Sequence, residues 1–104
     1  MEEKKHLTGE ATKEQILMWK GKYGDIFQVI VDNKTCYLHK PDRKTLSAAV
    51  TLGQTDPMRY NEVVVNNCWI AGADEFKNDD SYFFALSEKL IELVELKTAE
   101  IKKL

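Results

Sequence analysis

Apolar and polar residues change their period several times along this chain, and each change marks an element. Past Met1, residues 1–11 hold only Leu7 as a large apolar side chain, which predicts a mobile tail. Thr12 is placed to cap a helix over residues 13–22, with Gln15 three positions on completing a capping box. Ile16, Met18, Trp19 and Tyr23 give that helix an apolar side, and Gly21 and Gly24 end it. The run IFQVIVD then alternates with period two, and TCYLHK reads as a partner strand behind the turn residues Asp32, Asn33 and Lys34. Phe27, Val29 and Val31 form the uniformly apolar face of this hairpin and are expected to point at the core.

Two Asp-Pro breaks follow. After Pro41, Asp42 can cap a helix through Arg43, Lys44, Leu46, Ala49 and Val50 to about Gly53. Asp56 followed by Pro57 repeats the signal for MRYNEVVVNNCWI, where the cap and the length of about three turns favour helix over a strand at Val63-Val64-Val65. Gly72 ends that segment, AGADEFKNDD forms an acidic connection, and Asp79 or Asp80 opens a long helix running nearly to Leu104. At about 100° per residue, Phe83, Leu86, Leu90, Leu93, Val94, Ile101 and Leu104 share one stripe opposite Glu88, Lys89, Glu92, Glu95 and Lys103. Lys97 interrupts the stripe and Leu96 falls on the polar side, so the last two turns carry apolar residues left over for a partner. The order is helix, hairpin, two short helices and a long last helix. This is a helix-dominant α+β domain over residues 12–104, with residues 1–11 outside it.

Composition narrows the class. At 104 residues there is room for one core and not two. Fifteen Lys and Arg against seventeen Asp and Glu leave a net charge of −2, too balanced for a protein that holds nucleic acid through its backbone charge. No run approaches the roughly 18 apolar residues of a membrane span. The opening MEEKKHLTGEATKEQ has no apolar centre and is not expected to be a signal peptide. Cys36 and Cys68 allow at most one bridge and read as free thiols. The expected setting is intracellular.

Candidate chemistry is sparse. Cys36 and His39 are three apart in a strand and point to opposite faces, and no other Cys or His stands at ligand spacing, so no metal is expected. A calcium loop starting at Asp74 would place Phe76 third, Asp79 where Gly is required and Ala85 where the bidentate Glu belongs. No Gly-rich phosphate loop is present, and neither Cys has a recognisable base beside it. No cofactor and no enzymatic activity are expected. Charge, in contrast, is unevenly spread. Residues 34–44 hold Lys34, Lys40, Arg43 and Lys44 against Asp42, a net +3. Residues 74–80 hold Asp74, Glu75, Asp79 and Asp80 against Lys77, a net −3. Such opposed patches can pair copies of the chain into a homo-oligomer or dock a charged partner. The candidate interaction surface is therefore Lys40, Arg43, Lys44, Asp74, Glu75, Asp79, Asp80, Leu96, Lys97, Ile101 and Leu104.

A set of short motifs adds a specific expectation. Trp19-Lys20-x-Lys22-Tyr23-Gly24, the hairpin, Tyr37-Leu38-x-Lys40-Pro41-x-Arg43, Asp56-Pro57 and Asn67-Cys68-Trp69-Ile70-x-Gly72 occur in that order. Asp79-Asp80-x-Tyr82-Phe83 follows, then Glu95-Leu96-Lys97 and Glu100-Ile101-Lys102-Lys103. Over residues 13–104 this order resembles a family of small phage and prophage proteins that look like tail assembly chaperones of long-tailed phages. The resemblance implies a non-catalytic protein that coats the tape-measure protein while the tail is built, helps recruit tail-tube subunits and is absent from the finished particle. It implies the cytoplasm of the bacterial host as the setting and no particular site residues. The alternative expectation is a structural virion component, such as a head–tail connector or a minor tail protein.

Overall fold

The computed structural model describes residues 6–94 and 98–104. Thr12 caps helix α1 (Lys13–Tyr23) through the expected capping box, its hydroxyl accepting from the Gln15 N–H while the Gln15 side chain accepts from the Thr12 N–H. Gly24, at φ 84°, turns the chain out of the helix. Strands β1 (Ile26–Val31) and β2 (Lys34–His39) then pair antiparallel, in register from Ile26 with His39 to Val31 with Lys34. Asp32 and Asn33 make the turn, and Asp32 takes a left-handed φ of 55°, which its short polar side chain tolerates. Helix α2 (Arg43–Gly53) starts at Asp42, whose carboxylate accepts from the Thr45 N–H at 2.7 Å. Helix α3 (Pro57–Cys68) starts at Asp56 with proline in its first turn, so the cap outranks the β-branched valine run.

Three features differ from the sequence reading. First, the sheet has three strands, in the order β1-β2-β3. Helix α3 runs without a loop into β3 (Trp69–Gly72), which pairs antiparallel with β2 from Cys36 opposite Gly72 to Leu38 opposite Trp69, leaving Ile70 as a bulge. Second, the acidic connection folds into a single turn, α4 (Glu75–Asn78), because Phe76 within it is completely buried. Its ring stands 6.5 Å from that of Trp69 and 5.6 Å, edge-on, from that of Tyr82.

The third difference is a correction. The expected long helix from Asp79 to Leu104 is short: α5 covers Asp80–Ser87 and a 3₁₀ turn covers Leu90–Leu93. The tighter winding brings residues three apart into line, so Leu90 and Leu93 both enter the core while Ile91 points outward. Residues 98–104 carry no secondary structure and are exposed throughout. A helix in water is held mainly by burying one face, and these residues have no surface of their own molecule to bury it on. Leu96 and Lys97 lie outside the described residues.

The core lies between the sheet and the helices. Cys36 and Leu38 of β2 join Ala49 of α2, Val64, Val65 and Cys68 of α3, and Phe76, Leu86, Leu90 and Leu93. Phe27, Val29 and Val31 pack against this cluster, as their alternation predicts. The opposite face of β2 is buried too, with Thr35 and Tyr37 both covered. Residues 6–11, the described part of the expected tail, supply much of that cover. Thr8 donates to the Asn33 carbonyl at 2.8 Å and accepts from the Thr35 N–H at 2.9 Å, and the Ala11 N–H donates to the Tyr37 hydroxyl at 3.1 Å.

Two glycines permit this crossing. A Cβ on Gly9 (φ 90°) would lie 2.5 Å from the Ala73 nitrogen, and one on Gly72 would lie 2.5 Å from Cys36 Cα. Both obstacles are backbone, so neither can swing away. Gly9→Ala and Gly72→Ala are each expected to cost about 2 kcal/mol or more, read as a lower urea midpoint at unchanged slope. Gly21→Ala, whose Cβ meets nothing within 4 Å inside a helix, is expected to raise stability by about 0.5–1 kcal/mol.

Candidate functional site

The basic cluster read from residues 34–44 is divided by the fold. Lys34 sits at the hairpin turn, its ammonium 5.2 Å from the centre of the Tyr82 ring and 3.3 Å from the Asn33 side-chain oxygen. Lys40 lies beyond the other end of β2, about 20 Å away at the rise of an extended strand, and is ion-paired with Asp25 at 2.9 Å. Arg43 and Lys44 begin α2 at that same end and are exposed. Two cations in a first turn oppose the helix dipole. The Thr45 N–H donated to Asp42 holds the Asp42 carboxyl below the usual range, with Lys44 and His39 adding to the effect. The exposed side of α2, from Arg43 and Lys44 to Thr51 and Leu52, forms a shallow groove with Ser47 and Ala48.

The acidic set gathers at the hairpin-turn end. The Ala73 N–H donates to the Thr35 carbonyl, and the Tyr82 hydroxyl donates to the Asp32 carboxylate at 3.3 Å, which seats residues 74–80 beside the turn. Asp79 is spent as the cap of α5, accepting from the Ser81 N–H. Asp74, at the start of α4, makes no such bond, and Asp74 and Asp80 are exposed. Charge therefore changes sign along the length of the sheet, with Lys34 on the acidic end and Arg43 and Lys44 on the other. Ile101 and Leu104 are fully exposed and touch neither patch.

The two thiols are buried and unpaired. Burial pushes Cys36 up to about 12, and burial followed by the nearby Asp42 carboxylate pushes Cys68 up to about 11. A thiolate is the nucleophilic form, so neither cysteine is activated. His39 faces away from Cys36; its ring stacks on Tyr23 at 4.7 Å and its Nδ1 lies 2.8 Å from the Lys40 carbonyl. Among the described residues no three His, Cys, Asp or Glu converge as a metal site. No helix among them is long and apolar enough to cross a membrane.

What the sequence did not reveal is apolar. Leu46 and Val50 of α2, Tyr60 of α3, and Leu90, Ile91 and Val94 around the 3₁₀ turn line a groove of about 470 Å³, with Asn61 and Ser87 also lining it. Ile91 is 72% exposed and Val50 53%. The signal was present in Val50, which sits off the buried side of its helix, and in Ile91, which falls outside the apolar stripe expected of the last helix. Helix α1 adds a second exposed pair, Leu17 and Met18, since it buries no residue completely and is held by Trp19 against Tyr37 at 5.4 Å. No protein-family model, curated protein or solved structure matches the chain.

The thiol environment has a direct consequence. With pKa values raised in the folded state, the stability the thiols contribute is fully present below the unfolded thiol pKa of about 8.5 and is lost as pH rises through the folded values. Urea midpoints are expected to fall from about pH 9 upward, and the Cys36→Ala/Cys68→Ala double variant is expected to show a flatter decline. At pH 8 a thiol-reactive dye should label neither cysteine until the chain is unfolded.

Proposed function

We propose that this chain is a non-catalytic assembly chaperone of phage tail morphogenesis, which binds the helices of a tape-measure protein and works with tail-tube subunits while the tail is built. The observation that carries the reading is the apolar groove between α2, α3 and the 3₁₀ turn, where Val50 and Ile91 stand uncovered beside the half-buried Leu46 and Val94. A tape-measure protein is long, helical and apolar on at least one stripe. A helix of that kind docks by laying residues at i, i+3 and i+4 into such a groove. The motif order from Trp19 to Lys103 supports the phage setting, and inert thiols support a protein that acts by binding.

Co-expression with a phage tape-measure protein tests the reading. The chain is expected to keep that protein soluble and to co-purify with it. Val50→Asp and Ile91→Asp, both at exposed positions and therefore compatible with the fold, are expected to weaken the complex about tenfold or more each. Purified particles should lack the chain by mass spectrometry. A long protein that stays equally insoluble with and without the chain removes the reading, and so does a chain present in every particle.

A further inference from the structure

Strand β1 is an edge strand, and its free edge is complete. The Thr35 N–H donates to Thr8 and the Thr35 carbonyl accepts from Ala73, both on the side of β2 away from β1. The pair Ile30–Thr35 is therefore one of the non-hydrogen-bonded pairs of the hairpin, and by alternation so are Gln28–Tyr37 and Ile26–His39. The N–H and C=O groups of Ile26, Gln28 and Ile30 consequently point outward, away from the sheet. Among the described residues none pairs with them. The edge also lacks the usual protection: IFQVIV contains no charge and no proline, and Ile30 is 55% exposed.

This edge borders a groove of about 420 Å³. Residues 27–31 of β1 line it together with the apolar Ala85 and Leu93 and the charged Glu88, Lys89 and Glu92, of which Lys89 pairs with Glu92 at 3.6 Å. A strand flanked by a helix across such a groove is the form that accepts an extended peptide as an added strand.

Residues 98–104 have the matching chemistry. The segment TAEIKKL is without secondary structure, and Ile101 is 99% exposed, so the segment leaves the groove of its own molecule open. Its seven residues match the six of β1. Extended, it places Ala99, Ile101 and Lys103 on one face and Thr98, Glu100, Lys102 and Leu104 on the other. The first face, two apolar side chains and a cation, matches the Ala85, Leu93 and Glu88 lining of the groove. We infer that the β1 edge is a strand-addition site whose occupant is the 98–104 segment of a second copy of this chain, joining copies by exchanged strands. The inference does not depend on the chaperone reading, since it uses a different groove.

Sedimentation of three full-length chains tests it. The native chain is expected to form a reversible dimer or larger assembly. Ile30→Pro removes an outward N–H and leaves the β1–β2 ladder intact, because that N–H bonds nothing in the hairpin. Ile101→Asp changes a fully exposed side chain and cannot unfold the molecule. Each variant alone is expected to dissociate at least about tenfold more readily than the native chain, and a mixture of the two, which pairs one intact edge with one intact segment, should recover part of the association. Circular dichroism confirms that both variants are folded. Hydrogen exchange at the Ile30 amide should slow on assembly. A native chain that stays monomeric, an association unaffected by Ile101→Asp, or a slow Ile30 amide in a monomer (the segment then lying on its own edge) overturns the proposal.

Discussion

Strand β2 needs cover on both faces, and the rest of the molecule is arranged around that need. A two-stranded ribbon is barely stable in water, so the hairpin persists only with a third strand and something packed on each side. Cys36 and Leu38 take the apolar cover, from α3 and the residues around Phe76 and Leu86. Thr35 and Tyr37 take a mixed one. The Thr35 hydroxyl donates to the Val29 carbonyl at 2.9 Å, and the Gln28 amide donates to both Thr35 and Tyr37. These bonds satisfy polar atoms that burial would otherwise penalise. They also explain how α1 stays in place with no residue fully buried: it is held through Trp19 on the Tyr37 ring and the Ala11 N–H on the Tyr37 hydroxyl.

The same requirement makes the sheet asymmetric. Along the far side of β2, the chain at Thr8 and the chain at Gly72 both come within hydrogen-bonding reach, and glycine at positions 9 and 72 is what lets three backbones meet there. That side is closed. The β1 side has no comparable partner among the described residues. The far side of β2 is thus satisfied within the molecule at the cost of two side chains, while the outer side of β1 keeps its outward N–H and C=O groups.

Local signals were legible and long-range ones were not. Thr12 with Gln15, Asp42 and Asp56-Pro57 each carry their bonding partner within three residues, so the starts of α1, α2 and α3 can be read directly from the chain. The period-two run from Ile26 to Val31 likewise states which side faces the core. Strand β3 has only four residues and follows Cys68 with no turn between, so nothing local separates it from the helix before it. The basic and acidic patches were visible as residues but not as places, because the length of β2 parts Lys34 from Lys40, Arg43 and Lys44. The motif order suggests a phage tail chaperone family, yet it does not indicate which apolar residues a partner would meet.

The misread last helix carries the most information. Its stripe from Phe83 to Leu104 is regular enough to promise one continuous amphipathic helix, but a helix is held by what it packs against, and the last buried residue among those described is Leu93. Winding tightens there to bring Leu90 and Leu93 in together, with Ile91 lining one groove and Leu93 lining the other. Ile101 and Leu104, within eleven positions of Leu93, are then apolar residues without a surface in their own molecule, and the β1 edge is without a strand partner among the described residues. Both grooves border the 3₁₀ turn, so the docking of a partner helix and the addition of a strand, as proposed above, depend on the same break in the helix.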